Sequence, residues 1–347
     1  MLVELANTET LGDPLDGFAL DPDAITYEQC VILRRCLACY AWISPLPLHR
    51  IEGNFPGIRA GGLRNTADVC SWLISLLGEV VKTLEPRTDR HAGLKELAER
   101  LSHGATQESL GLCRIKDSGL ARDERNHLVD EGICTLDDVL SRTPGEIPLI
   151  QPKALKLIQA AEATIEDHME KRKRFQCTRL NALGRDSTLL TKLYEKDGKE
   201  LEFAIDDVLK PPFITLTCQR VTRQNEGEPD HLLHDSDGKA LAIQTTAREK
   251  KNVTMTKATT VIGQSAKYRP VGYIVIGRPD FETLAIKDAA KQSASGRNYK
   301  LLPISTLAEM FVLFHEKKLT AQNVEKILLE WQGYISIEQL RAQTESR

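Results

Sequence analysis

The sequence of 347 residues contains no long hydrophobic run, and this absence excludes a large class of proteins. No stretch approaches the roughly 20 consecutive apolar residues that a membrane-spanning helix needs. The acidic opening MLVELANTET also lacks the positive charge and the apolar core of a secretory signal peptide. We therefore expect a cytoplasmic protein without a membrane partner, whose composition is ordinary for two or three domains.

Paired cysteines are also scarce. Among the eight cysteines only Cys36 and Cys39 form a CxxC pair, and they lie in the helical apolar stretch CVILRRCLACYAWI without a second pair. A zinc site or a disulfide framework ordinarily needs more cysteine or histidine partners at regular spacing. We expect reduced thiols in helix cores rather than metal ligands or redox groups.

A phosphate-binding loop of the form GxxxxGK[ST] is missing as well. The segments DGKE at 197–200 and DGKA at 237–240 lack both the upstream glycine and the Ser or Thr that would hold Mg²⁺. The chain by itself is therefore not expected to be an ATP-driven motor.

The net charge of −3 conceals an uneven distribution. Residues 1–170 contain 17 Lys and Arg against 27 Asp and Glu, whereas residues 171–347 contain 29 against 22. The division falls at the basic run Lys171–Arg174, which we interpret as the start of a linker. The basic excess of the second half favours a polyanionic partner, but a solvated linker followed by a mixed-charge surface explains it equally well.

Helical periodicity dominates the first half. Apolar residues recur at helical spacing from Thr26 to Ile43, and two prolines follow. A long amphipathic helix is predicted after Gly61 and Gly62, and a further helix is predicted from Leu94 to Leu101.

A more specific pattern lies between residues 110 and 165. Gly119 and Ala121 are followed by Gly132, 13 positions after Gly119, and by a helix start that Thr135 would cap. This spacing is typical of a helix-hairpin-helix unit, in which glycines allow backbone amides to approach a phosphate group. Ala121 replaces the second hairpin glycine, so contact with the DNA backbone and simple packing remain equal alternatives.

The first half resembles the C-terminal portion of superfamily 2 DNA repair helicases. The resemblance is based on Gly61–Arg64, Trp72, the LKELAERLSHG stretch and the hairpin. The resemblance covers about residues 5–165, with residues 11–24 as the tail of a winged helix. It implies a ratchet helix that faces single-stranded DNA through Arg64 and Trp72. Trp72 also lies among leucines, so a core position is the alternative. The missing phosphate loop implies a motor on a separate polypeptide, unless the chain is the tail of one.

The second half alternates strands and helices, which indicates an α/β layer with a mixed sheet. Helices are predicted at 200–209, 257–268, 283–293 and 306–317. Strands are predicted at 213–218, 240–246, 272–277 and 299–304.

Residues 181–320 resemble the PD-(D/E)xK nuclease superfamily, especially its Mrr-like restriction branch. Pro229-Asp230 matches the first motif, Gln244 and Thr246 occupy the second, and Glu202 is a plausible helix acid. The resemblance implies carboxylates that hold Mg²⁺, with Asp230 as the metal ligand.

The second motif departs from the nuclease pattern because Thr246 stands where the family has lysine. Threonine cannot supply the cation that positions the nucleophile, so catalysis would need a relocated lysine. The candidates are Lys239, Lys250, Lys251 and Lys257. Gln264 and Tyr268 also match a QxxxY helix that contacts DNA in RecB-like nucleases.

The predicted fold class is α + α/β, an all-helical bundle with a helix-hairpin-helix followed by a restriction-endonuclease-like domain. We expect a helicase-like bundle at 1–105, the hairpin region at 106–170, a basic linker at 171–180 and the nuclease-like domain at 181–347.

The predicted function is that of a DNA-binding accessory protein in DNA processing or defence. It would bind single-stranded or branched DNA, dock on a superfamily 2 motor and carry an impaired nuclease module. The alternatives are an active Mg²⁺-dependent endonuclease and a protein-interaction adaptor without DNA contact.

Overall fold

The computed structural model describes residues 26–85, 90–221, 228–235 and 237–345. The chain divides into two compact units, Met1–Ala161 and Glu162–Arg347. The predicted winged-helix tail at 11–24 lies outside the described residues. No helix within the described ranges is long and apolar enough to cross a membrane.

The first unit is helical throughout its described part, as the sequence predicts. Its helices are α1 (Tyr27–Trp42), α2 (Leu48–Asn54), α3 (Ala60–Leu84), α4 (Arg90–His103), α5 (Leu110–Cys113), α6 (Arg122–Asp130) and α7 (Leu136–Ser141). The helix α8 (Gln151–Ala182) begins in this unit and continues into the second one.

Local capping explains where several of these helices begin. Thr26 accepts a hydrogen bond from the backbone amide of Gln29, whose side chain accepts one from the amide of Thr26. Such a reciprocal capping box satisfies two amide donors that the first turn of a helix leaves without partners. Thr135 caps α7 in the same way with Asp138. These contacts confirm the predicted starts of both helices.

The core of the first unit forms where α1, α2, α3 and α4 meet. Leu37, Ile51, Phe55 and Leu63 are nearly inaccessible to solvent there. The helices α3 and α4 pack antiparallel. Gly78, late in α3, lies against Leu94, early in α4, and the hydroxyl of Ser71, earlier in α3, donates to the carbonyl of Ala98, later in α4. Small residues on α3 therefore allow the two backbones to approach closely.

The second unit contains a six-stranded sheet in the order β1 to β6. Its strands are β1 (Thr217–Arg220), β2 (His231–His234), β3 (Ala240–Ala247), β4 (Gly272–Arg278), β5 (Tyr299–Pro303) and β6 (Gly333–Tyr334). The first three strands pair antiparallel and the last four pair parallel, so the sheet is mixed, as predicted.

Helices accompany this sheet along the chain. They are α9 (Thr188–Glu195), α10 (Gly198–Val208), α11 (Met255–Gln264), α12 (Thr283–Ala294), α13 (Ile304–His315), α14 (Ala321–Glu330) and α15 (Ile337–Glu345), with a short 3₁₀ helix at Ala266–Tyr268. Four of them correspond to the helices that the sequence predicts in this half.

Two elements of the second half differ from the prediction. The strand expected at 213–218 begins only at Thr217, because Phe213 is buried against Phe311 and Phe314 at ring distances of 5.5 Å. The basic run expected to open a linker instead continues α8 without a break. Its lysines pair with acids, Lys171 with Asp167 of the same helix and Lys173 with Glu195 of α9, so both charges are compensated.

Candidate nucleic-acid surface and nuclease-like corner

The helix α3 presents both residues that the helicase resemblance selects. Arg64 is exposed, and 61% of the Trp72 surface is accessible to solvent. The alternative of a core position for Trp72 is therefore wrong. In the first unit Trp42, and not Trp72, packs partly buried against the core, and its indole N–H donates to the carbonyl of Leu101 at 2.8 Å. Eight helical residues place Arg64 and Trp72 about 12 Å apart along the axis.

Arg64 also adjoins the end of α4. The pKa of His103 is lowered by burial first, and the charges of Arg125 and Arg64 lower it further. Glu99 and Asp68 act on the pKa of His103 in the opposite direction, so acidic groups also lie at this end of α4.

The predicted hairpin glycine adopts the backbone conformation that requires glycine. Gly119 has φ +67°, and a Cβ there would lie 3.1 Å from the ammonium of Lys156. The amide of Ala121, at the start of α6, donates to the Glu124 carboxylate at 2.9 Å, and Glu124 pairs with Lys153. The backbone amide of Ala121, which a phosphate group would need as a donor, is therefore already bonded to the Glu124 carboxylate. The helix-hairpin-helix assignment stays a prediction.

Lys153 and Lys156 are the residues that the sequence interpretation missed at this hairpin. Both belong to the first turns of α8, more than 30 residues from Gly119 along the chain. Only the packing of α8 brings the Lys156 ammonium to the hairpin glycine. The one sequence-level indication is their spacing of three residues, which places both on one side of a helix.

The structure brings Asp230 and Gln244 together as the sequence predicts. The β2–β3 register pairs His231 with Ile243, so Asp230 stands opposite Gln244. The Gln244 side-chain amide donates to Asp230 Oδ2 at 2.9 Å, and the backbone amide of Thr245 donates to the same oxygen at 2.6 Å. Asp230 is almost completely buried. These bonds offset part of the cost of burying its charge.

Other members of the predicted nuclease site are more dispersed. Thr246 follows Gln244 by two residues in β3, hence on the same side of the strand, and is paired in register with Gly277. Glu202 lies in α10 and is partly buried. Within the described ranges no three Asp, Glu, His or Cys side chains come close enough to hold a metal ion. One buried carboxylate bonded to an amide does not fit Mg²⁺, which requires several oxygen ligands.

The proposed replacements for the motif lysine have other surroundings. Lys239 pairs with Asp237 at 3.4 Å, and Lys250 pairs with Glu162 at 3.4 Å. Lys251 is partly buried and Lys257 is exposed. Among these four side chains, the two with described ion pairs make them with acids other than Asp230.

Lys267 is a cation that the sequence interpretation missed. Its ammonium pairs with the buried carboxylate of Glu228, two residues before Asp230, and lies 4.8 Å from the ring centre of Tyr268. The QxxxY pattern contained this lysine, since Lys267 lies between Gln264 and Tyr268. Tyr268 is only partly exposed, and the Gln264 side-chain oxygen is buried without a hydrogen-bond partner among the described residues.

Comparison with known proteins relates part of the chain to DNA helicases. The ATP-dependent DNA helicase Hel308 of Thermococcus kodakarensis is 29% identical over 139 residues, which cover 38% of this chain and 12% of the helicase. Hel308 of Pyrococcus horikoshii is 26% identical over 127 residues, 37% of this chain and 17% of the helicase. Hel308 of Methanocella arvoryzae is 28% identical over 144 residues, which cover 41% of this chain and 18% of the helicase.

The chain thus spans less than a fifth of the length of these curated relatives. No family model matches the chain, and no solved structure matches it. The partial similarity is consistent with the predicted resemblance to a helicase C-terminal region. The nuclease-like resemblance has no counterpart among these matches.

Proposed function

We propose that the chain is a DNA-binding accessory protein that acts beside a separate superfamily 2 helicase motor. The observation that carries this proposal is the exposure of Trp72 on α3, because an indole with 61% of its surface accessible can stack on a base. Partial similarity to ATP-dependent DNA helicases supports DNA as the ligand. The 347 residues contain no phosphate-binding loop, so ATP-driven movement would depend on a motor that these residues do not include.

Single-stranded DNA fits the chemistry of this surface. A base can stack on an exposed indole, which typically contributes about 1–3 kcal/mol per base and tolerates any sequence. Arg64 would bind a phosphate of the same strand through charge-assisted hydrogen bonds. At the hairpin, Lys153 and Lys156 would attract a second phosphate, provided that Glu124 releases the amide of Ala121.

The second unit supports a nuclease-like module with impaired chemistry. The helix α10 is followed by strands and a turn between β2 and β3, which agrees with the helix–strand–turn–strand arrangement on which the PD-(D/E)xK resemblance is based. Asp230 precedes β2 and Gln244 lies in β3, where that resemblance places its acids. Gln244 replaces one carboxylate and Thr246 replaces the lysine. Both changes remove charge that phosphodiester hydrolysis needs.

An active Mg²⁺-dependent endonuclease remains the second candidate. It is favoured by Lys267, which lies beside Glu228 and hence near the Asp230 segment. The third candidate, an adaptor that binds proteins and not DNA, is favoured by the apolar surface that α3 exposes.

Binding to a fluorescein-labelled single strand, measured by anisotropy at several salt concentrations, tests the DNA proposal. We expect Trp72→Ala to weaken binding by about tenfold, since stacking contributes about 1–3 kcal/mol. Tyr27→Ala, which removes another exposed aromatic of the first unit, is the matched control and leaves affinity unchanged. Equal affinity of both variants and the unchanged protein contradicts the proposal.

Incubation of the protein with single- and double-stranded DNA plus Mg²⁺ or Mn²⁺ tests the nuclease candidate. Impaired chemistry predicts the same background cleavage for the unchanged protein and for Asp230→Ala. Cleavage that disappears in Asp230→Ala but survives in Glu202→Ala would indicate an active site centred on Asp230. Cleavage that also disappears in Lys267→Met would identify the relocated lysine.

A further inference from the structure

Six large aliphatic side chains of α3 are exposed on one side of the helix. We call them the α3 stripe: Val69, Leu73, Leu76, Leu77, Val80 and Leu84, each between 47% and 75% accessible. Their separations of three and four residues keep them on one helical face. The stripe extends over about 22 Å of the helix.

This face differs from the face that holds the first unit together. Leu63, Ala67 and Gly78 are buried on the other side of α3, where the core helices lie. The stripe is also unsuited to DNA, because aliphatic groups cannot bind phosphate. By helical periodicity Arg64 lies on the side of α3 opposite the centre of the stripe. A protein surface is therefore the fitting partner, since exposed apolar patches of this size ordinarily mark interfaces.

The spacing within the stripe selects the partner. Measured from the midpoint between Leu76 and Leu77, the six residues lie at matching distances on both sides. Val69 mirrors Leu84, Leu73 mirrors Val80, and Leu76 mirrors Leu77. A twofold axis through this midpoint would place each side chain opposite an aliphatic partner from an identical, antiparallel helix. Such self-complementarity is the requirement for an isologous dimer interface.

Charge and area agree with this arrangement. The stripe contains no charged residue and is bordered on one side by Asn65, Trp72 and Thr83, so two copies meet without like charges at the centre. Six half-exposed aliphatic side chains offer on the order of 500 Å² per copy, and two copies about 1,000 Å², near the lower limit of a specific interface. We propose that the protein forms an antiparallel dimer through the α3 stripe.

Charge variants at the twofold axis test this dimer. In the proposed register Leu76 of one copy faces Leu77 of the other. Leu76→Glu alone and Leu77→Lys alone each place charges against leucine and should raise the dimer dissociation constant about tenfold or more. A one-to-one mixture of the two variants places Glu opposite Lys at one contact and leaves Leu opposite Leu at the other. The mixture should recover dimer.

Analytical ultracentrifugation of the full chain at micromolar concentrations gives the measurement. Ser75→Glu, an adjacent exposed position on the polar side of α3, is the matched control and should dimerise like the unchanged protein. Thermal unfolding curves of all variants verify folding. A monomeric unchanged protein overturns the proposal, and so does a dimer that Leu76→Glu does not weaken. If Leu76→Glu and Leu77→Lys are each monomeric and their mixture also stays monomeric, the antiparallel register is refuted.

Discussion

The buried Lys300 makes the stability of the second unit depend on pH in a specific direction. Lys300 lies in β5 without solvent exposure, and its ammonium donates to the carbonyls of Leu328 and Leu329 in the last turn of α14. Desolvation by burial lowers the pKa of Lys300 from 10.5 to about 7. The helix carbonyls favour the charged form but do not replace its hydration.

The sign of the effect follows from proton binding. In the unfolded chain Lys300 keeps its proton up to about pH 10, whereas the folded protein releases it near pH 7. Between these values the unfolded state binds more protons, so the free energy of unfolding rises as the pH rises. Each pH unit contributes at most about 1.4 kcal/mol, which amounts to roughly 4 kcal/mol from pH 7 to pH 10.

Urea unfolding of the unchanged protein and of Lys300→Met at half-unit steps from pH 6.5 to 10 measures this contribution. Methionine fills similar volume without a charge, so the stability difference between the two proteins should shift in favour of the unchanged protein as the pH rises. Lys287→Met, at an exposed position of α12, is the control and should give a constant difference. A pH-independent difference for Lys300→Met refutes the argument, because Lys300 would then keep the same protonation in both states.

Three further predictions concern the two candidate sites and the first unit. Arg122→Met should lower the free energy of unfolding by about 2 kcal/mol or more. The Arg122 guanidinium donates to carbonyls at the end of α1, including that of Trp42 at 3.1 Å, and also to the carbonyl of Gly104 at 3.1 Å. Urea titration measures the free energy of unfolding. Because one such hydrogen bond ordinarily contributes roughly 1 kcal/mol, a loss below about 0.5 kcal/mol contradicts the prediction. Gly119→Val should lower the free energy of unfolding by about 1–2 kcal/mol, because valine is strained at a positive φ, and should weaken DNA binding. Gly145→Val, at an exposed glycine without positive φ, is the control and should change neither quantity as much. Gln244→Glu should create Mn²⁺ affinity beside Asp230, detectable by calorimetry. Absence of binding by this variant contradicts the proposal that Gln244 replaces a carboxylate of a nuclease-like site.

The sequence predicts elements whose residues carry local information. The helix starts at Thr26 and Thr135 depend on capping side chains within three residues. The strand β3 begins with an apolar run and β4 contains one, so both kinds of element were predictable. The motif resemblance selected both Asp230 and Gln244, and the antiparallel pairing of β2 with β3 in the structure accounts for their contact. Short elements without such patterns, β2 and β6 among them, were not predicted, because four and two residues contain too little periodicity.

Contacts between distant segments were not predictable. The pairing of Lys267 with Glu228 joins positions 39 residues apart, and the Arg122 contacts with α1 join positions about 80 residues apart. The exposure of Trp72 also depends on tertiary structure, because the sequence shows apolar residues around most of α3 and does not indicate which face the core covers. Periodicity identified the helix, but only its packing against α1 and α4 distinguished the buried face from the exposed one.

The boundary between the units also changes what the uneven charge implies for DNA binding. The acids Glu162, Glu166, Asp167 and Glu170 belong to the second unit, so Met1–Ala161 carries 17 Lys and Arg against 23 Asp and Glu, and Glu162–Arg347 carries 29 against 26. All four acids pair with lysines of the same unit, Glu162 and Glu166 with Lys250, Asp167 with Lys171 and Glu170 with Lys173. The basic excess of the second unit is therefore only +3, which gives little long-range attraction for a polyanion. DNA affinity must then come from local groups, and the exposed Arg64 and Trp72 of the acidic first unit are such groups. The salt dependence of binding should accordingly be shallow, with few counterions released, and a steep dependence would instead indicate a broad basic surface.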